Sequence, residues 1–213
     1  MKGCDLYIIL DREVAKERDL VKIAHQSILG GARCFQLRDK VSSSRAILTE
    51  ARRLRDLTRY MGCLFIVNDR VDIALAADAD GVHLGQDDMP YHEARKLLRR
   101  NKLIGVSATN LTQALTAQEN GADYIGVGPI FTTATKPWAS PTGPDIVSAI
   151  LKEIFIPSFF LGGINQENIG EAVKRGASSV AVASAVVNSA DPTEATRALI
   201  SALRETEKRA VAI

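Results

Sequence analysis

The chain has 213 residues, of which 46% are hydrophobic, 24% charged and only 5% aromatic, with a formal net charge of +2. That length suits one domain with a substantial core, and the aliphatic balance excludes a disordered tail or an aromatic binding platform. A charge so near neutrality gives no general attraction for nucleic acid, and Arg52, Arg53, Arg55, Arg99, Arg100 and Lys102 read as solvated helix faces. Cys4, Cys34 and Cys63 are odd in number, widely spaced and set beside apolar residues. They predict buried free thiols in a reducing cytoplasm, with neither a disulfide framework nor a zinc knuckle. The N-terminal apolar run is far too short for a signal-peptide core or a membrane span, so it reads as a first strand and no membrane partner is expected.

Taken in order, Leu6–Leu10 predicts a strand ending at Asp11 and Arg12, and Asp19–Leu29 a helix with Leu20, Ile23, Ala24, Ser27 and Ile28 on one face. Cys34–Leu37 is a strand running into Arg38, Asp39 and Lys40, and a helix from about Arg45 to Tyr60 follows the caps Ser42–Ser44. Leu64–Val67 and Gly81–Gly85 are strands, the first stopped by Asn68 and Asp69, the second by Gln86, Asp87 and Asp88, with an Ala-rich helix over Val71–Ala79 between them. Tyr91–Arg99 is a basic helix, Leu103–Val106 a strand ending at Ser107, and Leu111–Asn120 a helix capped by Asn110 and closed by Gly121. Tyr124–Ile130 is a strand interrupted by Gly126, Gly128 and Pro129, and it enters a long loop, Phe131–Pro144, of a length that usually marks function. The chain closes with a helix over Asp145–Ile154, a strand over Ser158–Leu161, the turn Gly162-Gly163, a helix over Gln166–Lys174, a last strand over Val180–Ala183 with Ser184 at its end, and a helix over Thr193–Lys208.

Strands alternating with helices through eight units predict a single closed (β/α)8 TIM barrel spanning residues 1–213. The phrases GARCFQLR, DADGVHLG, GADYIGVG and GASSVAVA support it, because each repeats a break, a small residue and a strand. An open doubly wound sheet would bring a glycine-rich fingerprint after its first strand, and Asp11-Arg12-Glu13 is unlike one. Active sites of such barrels lie at the carboxyl ends of the strands. A parallel crossover brings Asp69 and Asp88 to the same rim, where converging carboxylates invite a hard cation such as Mg2+. Gln36, Arg38 and Lys40 alternate, so an extended backbone points them to one face, where two cations and an amide can grip a polyanion with Lys136. Gly162-Gly163 ahead of a helix, together with Ser184, offers a second anion site in the loops after strands seven and eight. His83 reads as a barrel-interior residue, and His25 and His92 as helix-surface residues.

The motifs QLRDK (36–40), NDR (68–70), GVHLGQDD (81–88), GVS (105–107), GADYIGVGPIF (121–131), TTATK (132–136), LGGI (161–164) and VAVASAV (180–186) together resemble the thiamine phosphate synthase family. The resemblance implies a transferase that joins 4-amino-5-hydroxymethyl-2-methylpyrimidine diphosphate to a thiazole phosphate carboxylate, releasing diphosphate and carbon dioxide. It also implies Gln36, Arg38, Lys40, Asn68, Ser107 and Lys136 on the pyrimidine diphosphate, and Asp69 and Asp88 on Mg2+. Thr133, Thr135, Gly163 and Val182, Ala183 and Ser184 would hold the thiazole phosphate. Arg38, Lys40, Ser107 and Lys136 would carry the catalysis, which needs no nucleophilic side chain when the substitution is dissociative. The partners expected are these small molecules, with homo-oligomer formation left open. Two other readings are a thiazole tautomerase and a non-catalytic barrel that binds thiazole or thiamine phosphate. The tautomerase resembles the synthase in fold but uses a His where this chain has Thr109. Thr132 also departs from the more usual Pro.

Overall fold

The structure, a computed structural model, describes residues 1, 3–133 and 140–210, and only the backbone of 205–210. Eight parallel strands close on themselves in chain order: β1 (Leu6–Asp11), β2 (Cys34–Arg38), β3 (Leu64–Asn68), β4 (Gly81–Leu84), β5 (Leu103–Ala108), β6 (Tyr124–Val127), β7 (Ser158–Leu161) and β8 (Val180–Val182). Pairing of β8 back to β1 removes every open edge, which is why these strands tolerate near-continuous apolar sequence. The helices are α1 (Arg12–Ala15), α2 (Leu20–Leu29), α3 (Ser44–Tyr60), α4 (Val71–Ala76), α5 (Tyr91–Leu98), α6 (Leu111–Glu119), α7 (Ile146–Glu153), α8 (Ile169–Lys174), α9 (Ser184–Val187) and α10 (Pro192–Ala210). None of the described helices is long and apolar enough to cross a membrane.

Local chemistry sets where the helices start. Asp19 accepts from the backbone N–H of Val21 at 2.8 Å, and Asn110 from that of Gln113 at 2.9 Å, so each satisfies a donor that the first turn leaves unpaired. The helices lay Leu20, Ile23, Ala51, Leu54, Ala114 and Ile150 against the outer face of the barrel, where Leu6, Ile8, Phe35, Phe65 and Ile125 meet them. Each such aliphatic side chain contributes about 1.5–3 kcal/mol on leaving water, so Leu54→Ala alone would cost about 2–5 kcal/mol.

The period-two alternation of the strands sends a second set inward. Tyr7, Cys34, Ile66, Tyr124, Phe159 and Ala181 fill the floor of the barrel, with Cys4 packed against them. Two glycines make room for this aromatic floor. A Cβ on Gly105 would lie 2.0 Å from the Tyr124 ring, and one on Gly126 3.0 Å from the His83 ring. All three cysteines are free and buried, as their apolar neighbours predict.

Candidate active site

Above the floor, the same inward alternation carries polar residues to the carboxyl rim. β1 presents Tyr7, Ile9 and Asp11; β2 presents Gln36 and Arg38; β3 presents Asn68; β4 presents His83 and β5 presents Ser107, all lining one cavity. The other wall is made by Thr133, Gly162, Gly163, Val182, Ala183 and Ser184. Of the residues predicted to touch the pyrimidine diphosphate, Gln36, Arg38, Asn68 and Ser107 line this cavity together with Thr133, Gly163, Val182, Ala183 and Ser184 from the predicted thiazole phosphate set, whereas Lys40 is not part of its lining. Thr135, Lys136 and Trp138 lie outside the described residues.

Arg38 is held from behind. Its Nη1 donates to the Asp11 carboxylate, and Glu13 lies 3.7 Å away. Asp11 is fully buried and also accepts from the backbone N–H of Glu13 at 2.9 Å and of Val14 at 3.2 Å, capping the short helix α1. One carboxylate thus ends β1, starts α1 and aims the guanidinium.

A second cluster stands beside Asn68 at the rim. Lys40 Nζ lies 2.9 Å from Asp69 Oδ2, and Asp69 and Asp88 share a hydrogen bond. Burial and the Asp88 carboxyl raise the Asp69 pKa against the opposing pull of Lys40. In Asp88 burial also pushes the pKa up, but the hydrogen bond with Asp69, the Gly85 N–H at 2.6 Å and the Lys40 charge prevail and lower it. Two carboxylates this close cannot both ionise without a cation between them. The Lys40 ammonium offsets part of that charge, and the arrangement would suit a hard divalent ion that takes two carboxylates and fills its remaining positions with water and phosphate oxygens. Asp69 adopts φ +62°, a conformation uncommon for a residue with a side chain, and its N–H is fixed on the His83 carbonyl at 2.8 Å.

The second anion site differs in detail from its prediction. Gly162 (φ +95°) and Gly163 (φ +68°) form a turn only glycine accepts readily, because a Cβ on Gly163 would lie 2.3 Å from the Thr132 carbonyl oxygen. The helix expected from Gln166 starts three residues later, at Ile169, because Asn165 and Asn168 close turns of their own. Asn165 accepts from the Glu167 N–H at 2.9 Å, and Asn168 Nδ2 donates to the Gly163 carbonyl at 2.8 Å. Ser184 opens the four-residue helix α9 where only a strand end was predicted.

Sequence reasoning missed Asp11, Tyr7 and Tyr124 as parts of the site. Asp11 had the signal of an acid closing a strand at the same rim as Arg38. Thr109 donates to Gln113 Oε1 at 3.0 Å on α6, and it is not among the residues lining the cavity where the tautomerase would need its acid/base.

Comparison with known proteins agrees with this geometry. The family model for thiamine monophosphate synthase matches residues 6–186. A thiamine-phosphate synthase of Chloroflexus aurantiacus is 49% identical over 207 residues, covering 97% of this chain and 95% of its own. Another, of Shouchella clausii, is 45% identical and covers 96% of this chain and 99% of its own. The solved structure of a thiamine phosphate pyrophosphorylase from Pyrococcus furiosus superposes with a TM-score of 0.87 at 39% identity, over 96% of this chain and 97% of that one. With its motifs, its closed barrel and the facing halves of its cavity, the chain belongs to the thiamine monophosphate synthase family.

Proposed function

We propose that this chain couples 4-amino-5-hydroxymethyl-2-methylpyrimidine diphosphate to 4-methyl-5-(2-phosphoethyl)thiazole, carboxylated or not, giving thiamine phosphate and diphosphate, with carbon dioxide where the carboxylate is present. The observation that carries this reading is one cavity lined by Gln36, Arg38, Asn68 and Ser107 and also by Gly162, Gly163 and Ser184, with the Lys40–Asp69 pair just beyond the ends of β2 and β3. Arg38 and Lys40, with Lys136 from the loop after β6, neutralise charge that develops on the leaving diphosphate. Mg2+ held by Asp69 and Asp88 would supply the further positive charge that lets diphosphate leave. Asn68 and Ser107 orient the diphosphate, and Gln36 faces the pyrimidine ring.

Substitution is then dissociative: the electron-rich aminopyrimidine bears the cation, and the thiazole nitrogen captures it. Thr133, Thr135, Gly163, Val182, Ala183 and Ser184 hold the thiazole phosphate so that this nitrogen sits within reach. The mostly apolar floor of Ile9, Phe159 and Leu161 excludes water that would otherwise trap the cation. Mixing the protein with both substrates, with and without Mg2+, and measuring thiamine phosphate tests this directly. Product is expected only with Mg2+, and a protein that binds either phosphate without forming product would overturn it.

A further inference from the structure

Beneath the substrate cavity a chain of polar atoms crosses the barrel interior. Gln36 Nε2 lies 2.8 Å from the Tyr7 hydroxyl, which lies 3.1 Å from that of Tyr124. The Tyr124 hydroxyl lies 3.2 Å from His83 Nδ1, and His83 Nε2 lies 3.0 Å from Ser107 Oγ. Tyr7, Gln36, His83 and Tyr124 are all buried, and the two end residues, Gln36 and Ser107, line the cavity. Burial keeps both phenols neutral by raising them well above their ordinary range.

Each link holds one proton, and each hydroxyl or neutral imidazole has one to give. The links therefore choose their direction together. In one polarity Gln36 donates to Tyr7, Tyr7 to Tyr124, Tyr124 to Nδ1, and the Nε2–H of His83 to Ser107. Gln36 then turns its carbonyl oxygen to the cavity, and Ser107 keeps its own proton to offer there. In the reverse polarity Ser107 donates to Nε2, Nδ1–H to Tyr124, Tyr124 to Tyr7, and Tyr7 to a Gln36 amide turned over. Gln36 then shows its NH2 to the cavity, and Ser107 shows only lone pairs. A mixed state leaves a buried donor or acceptor unpaired, which disfavours it roughly ten- to hundredfold.

We infer that this relay switches as a unit, so that the group a bound ring presents to Gln36 decides whether Ser107 offers a proton or a lone pair to the diphosphate. The inference rests on the aminopyrimidine diphosphate reading above and deepens it. The exocyclic amine is a donor and calls for the Gln36 carbonyl; the diphosphate is an acceptor and calls for the Ser107 proton. One polarity satisfies both. A pyrimidine with an oxo group in place of the amine calls for the opposite polarity and sets a Ser107 lone pair against a phosphate oxygen. Tyr7, Tyr124 and His83 are thus positioning residues that make selection for the amine depend on two ends of one network.

The test compares the affinities of the 4-amino and 4-oxo pyrimidine diphosphates, with Mg2+ and without thiazole, by calorimetry on the wild type and on Tyr124→Phe. Binding is used because an oxo group is also a poorer donor to the cation. The wild type should prefer the amine by roughly ten- to hundredfold, and Tyr124→Phe, in which each end turns independently, should lose most of that preference. Nitrogen-15 NMR of His83 should show the Nε2–H tautomer in the wild-type complex with the amine and a mixture in Tyr124→Phe, a signature that a purely packing role would not move. Tyr7→Phe breaks the neighbouring link and carries the same expectation if Tyr124→Phe does not fold. An unchanged preference in the folded variant, or an Nδ1–H tautomer in the wild-type complex, would overturn the relay. Failure of the wild type to form thiamine phosphate would instead overturn the function on which it rests.

Discussion

Asp11 ties the site to the fold, and its substitution separates two of its jobs. Asp11→Asn keeps an oxygen that can accept from the Glu13 and Val14 N–H groups but removes the charge opposite Arg38. A hydrogen bond to a charged partner contributes about 1.5–3 kcal/mol. Arg38 retains Glu13 at 3.7 Å and some access to the cavity, so the loss should fall near 2 kcal/mol rather than at the upper end seen for broken buried pairs. Asp11→Ala also orphans the two capped N–H groups, adding about 1 kcal/mol. At 2–4 °C per kcal/mol for a chain of this size, thermal unfolding should drop by roughly 4–8 °C for Asn and 6–12 °C for Ala. The freed guanidinium no longer sits fixed at the diphosphate, so kcat/KM for the pyrimidine diphosphate should fall about tenfold, or 1.4 kcal/mol. Circular dichroism melts and steady-state kinetics read both effects. An Asn variant within about 0.5 kcal/mol of wild type, or an Ala variant no worse than Asn, would refute this account of Asp11.

Four further outcomes are expected. Arg38→Ala and Lys136→Ala should each cost about 2–4 kcal/mol of transition-state stabilisation in kcat/KM, and near-normal turnover in both would remove these cations from the diphosphate. Asp88→Asn should weaken the Mg2+ dependence of turnover far more than it weakens thiazole phosphate binding measured by calorimetry. Burial and the neighbouring Asp88 raise the Asp69 pKa from its ordinary value, so in metal-free protein Asp69 subtracts stability as pH rises from that ordinary value through the raised one. Mg2+ must displace the Asp69 proton, so Mg2+ affinity, followed by titration calorimetry, should increase with pH across the same window and would contradict the assignment if flat. Gly105→Ala drives a Cβ into the Tyr124 ring and should cost about 1–3 kcal/mol in denaturant unfolding, more than Ala at an exposed helical position.

The barrel was legible because its signals are local and repeated: apolar runs, breaks after them, and helices with one buried face. The rim was legible for a related reason. Residues that alternate on a strand share a face whatever the tertiary structure, so Gln36 and Arg38 were placed by their own segment, and Asn68 and Asp69 by the end of the apolar run they close. What escaped depended on distant partners. Tyr7 and Tyr124 meet across 117 residues of sequence, and no local period links them. Asp11 read as a strand end because its partner, Arg38, belongs to the next strand and its cap to a helix of only four residues. The late start of α8 escaped because Asn165 and Asn168 use their side chains to build turns where a helical pattern alone would continue.

The central claim is that one rim holds the carboxylate pair, the cations and the diphosphate together. It is tested most directly by diffraction from crystals grown with the pyrimidine diphosphate and Mn2+ in place of Mg2+, using the anomalous signal to locate the ion. The account predicts the ion between Asp69 and Asp88 with the diphosphate oxygens on Arg38 and Ser107. An ion bound elsewhere, or a diphosphate away from Arg38, would contradict it.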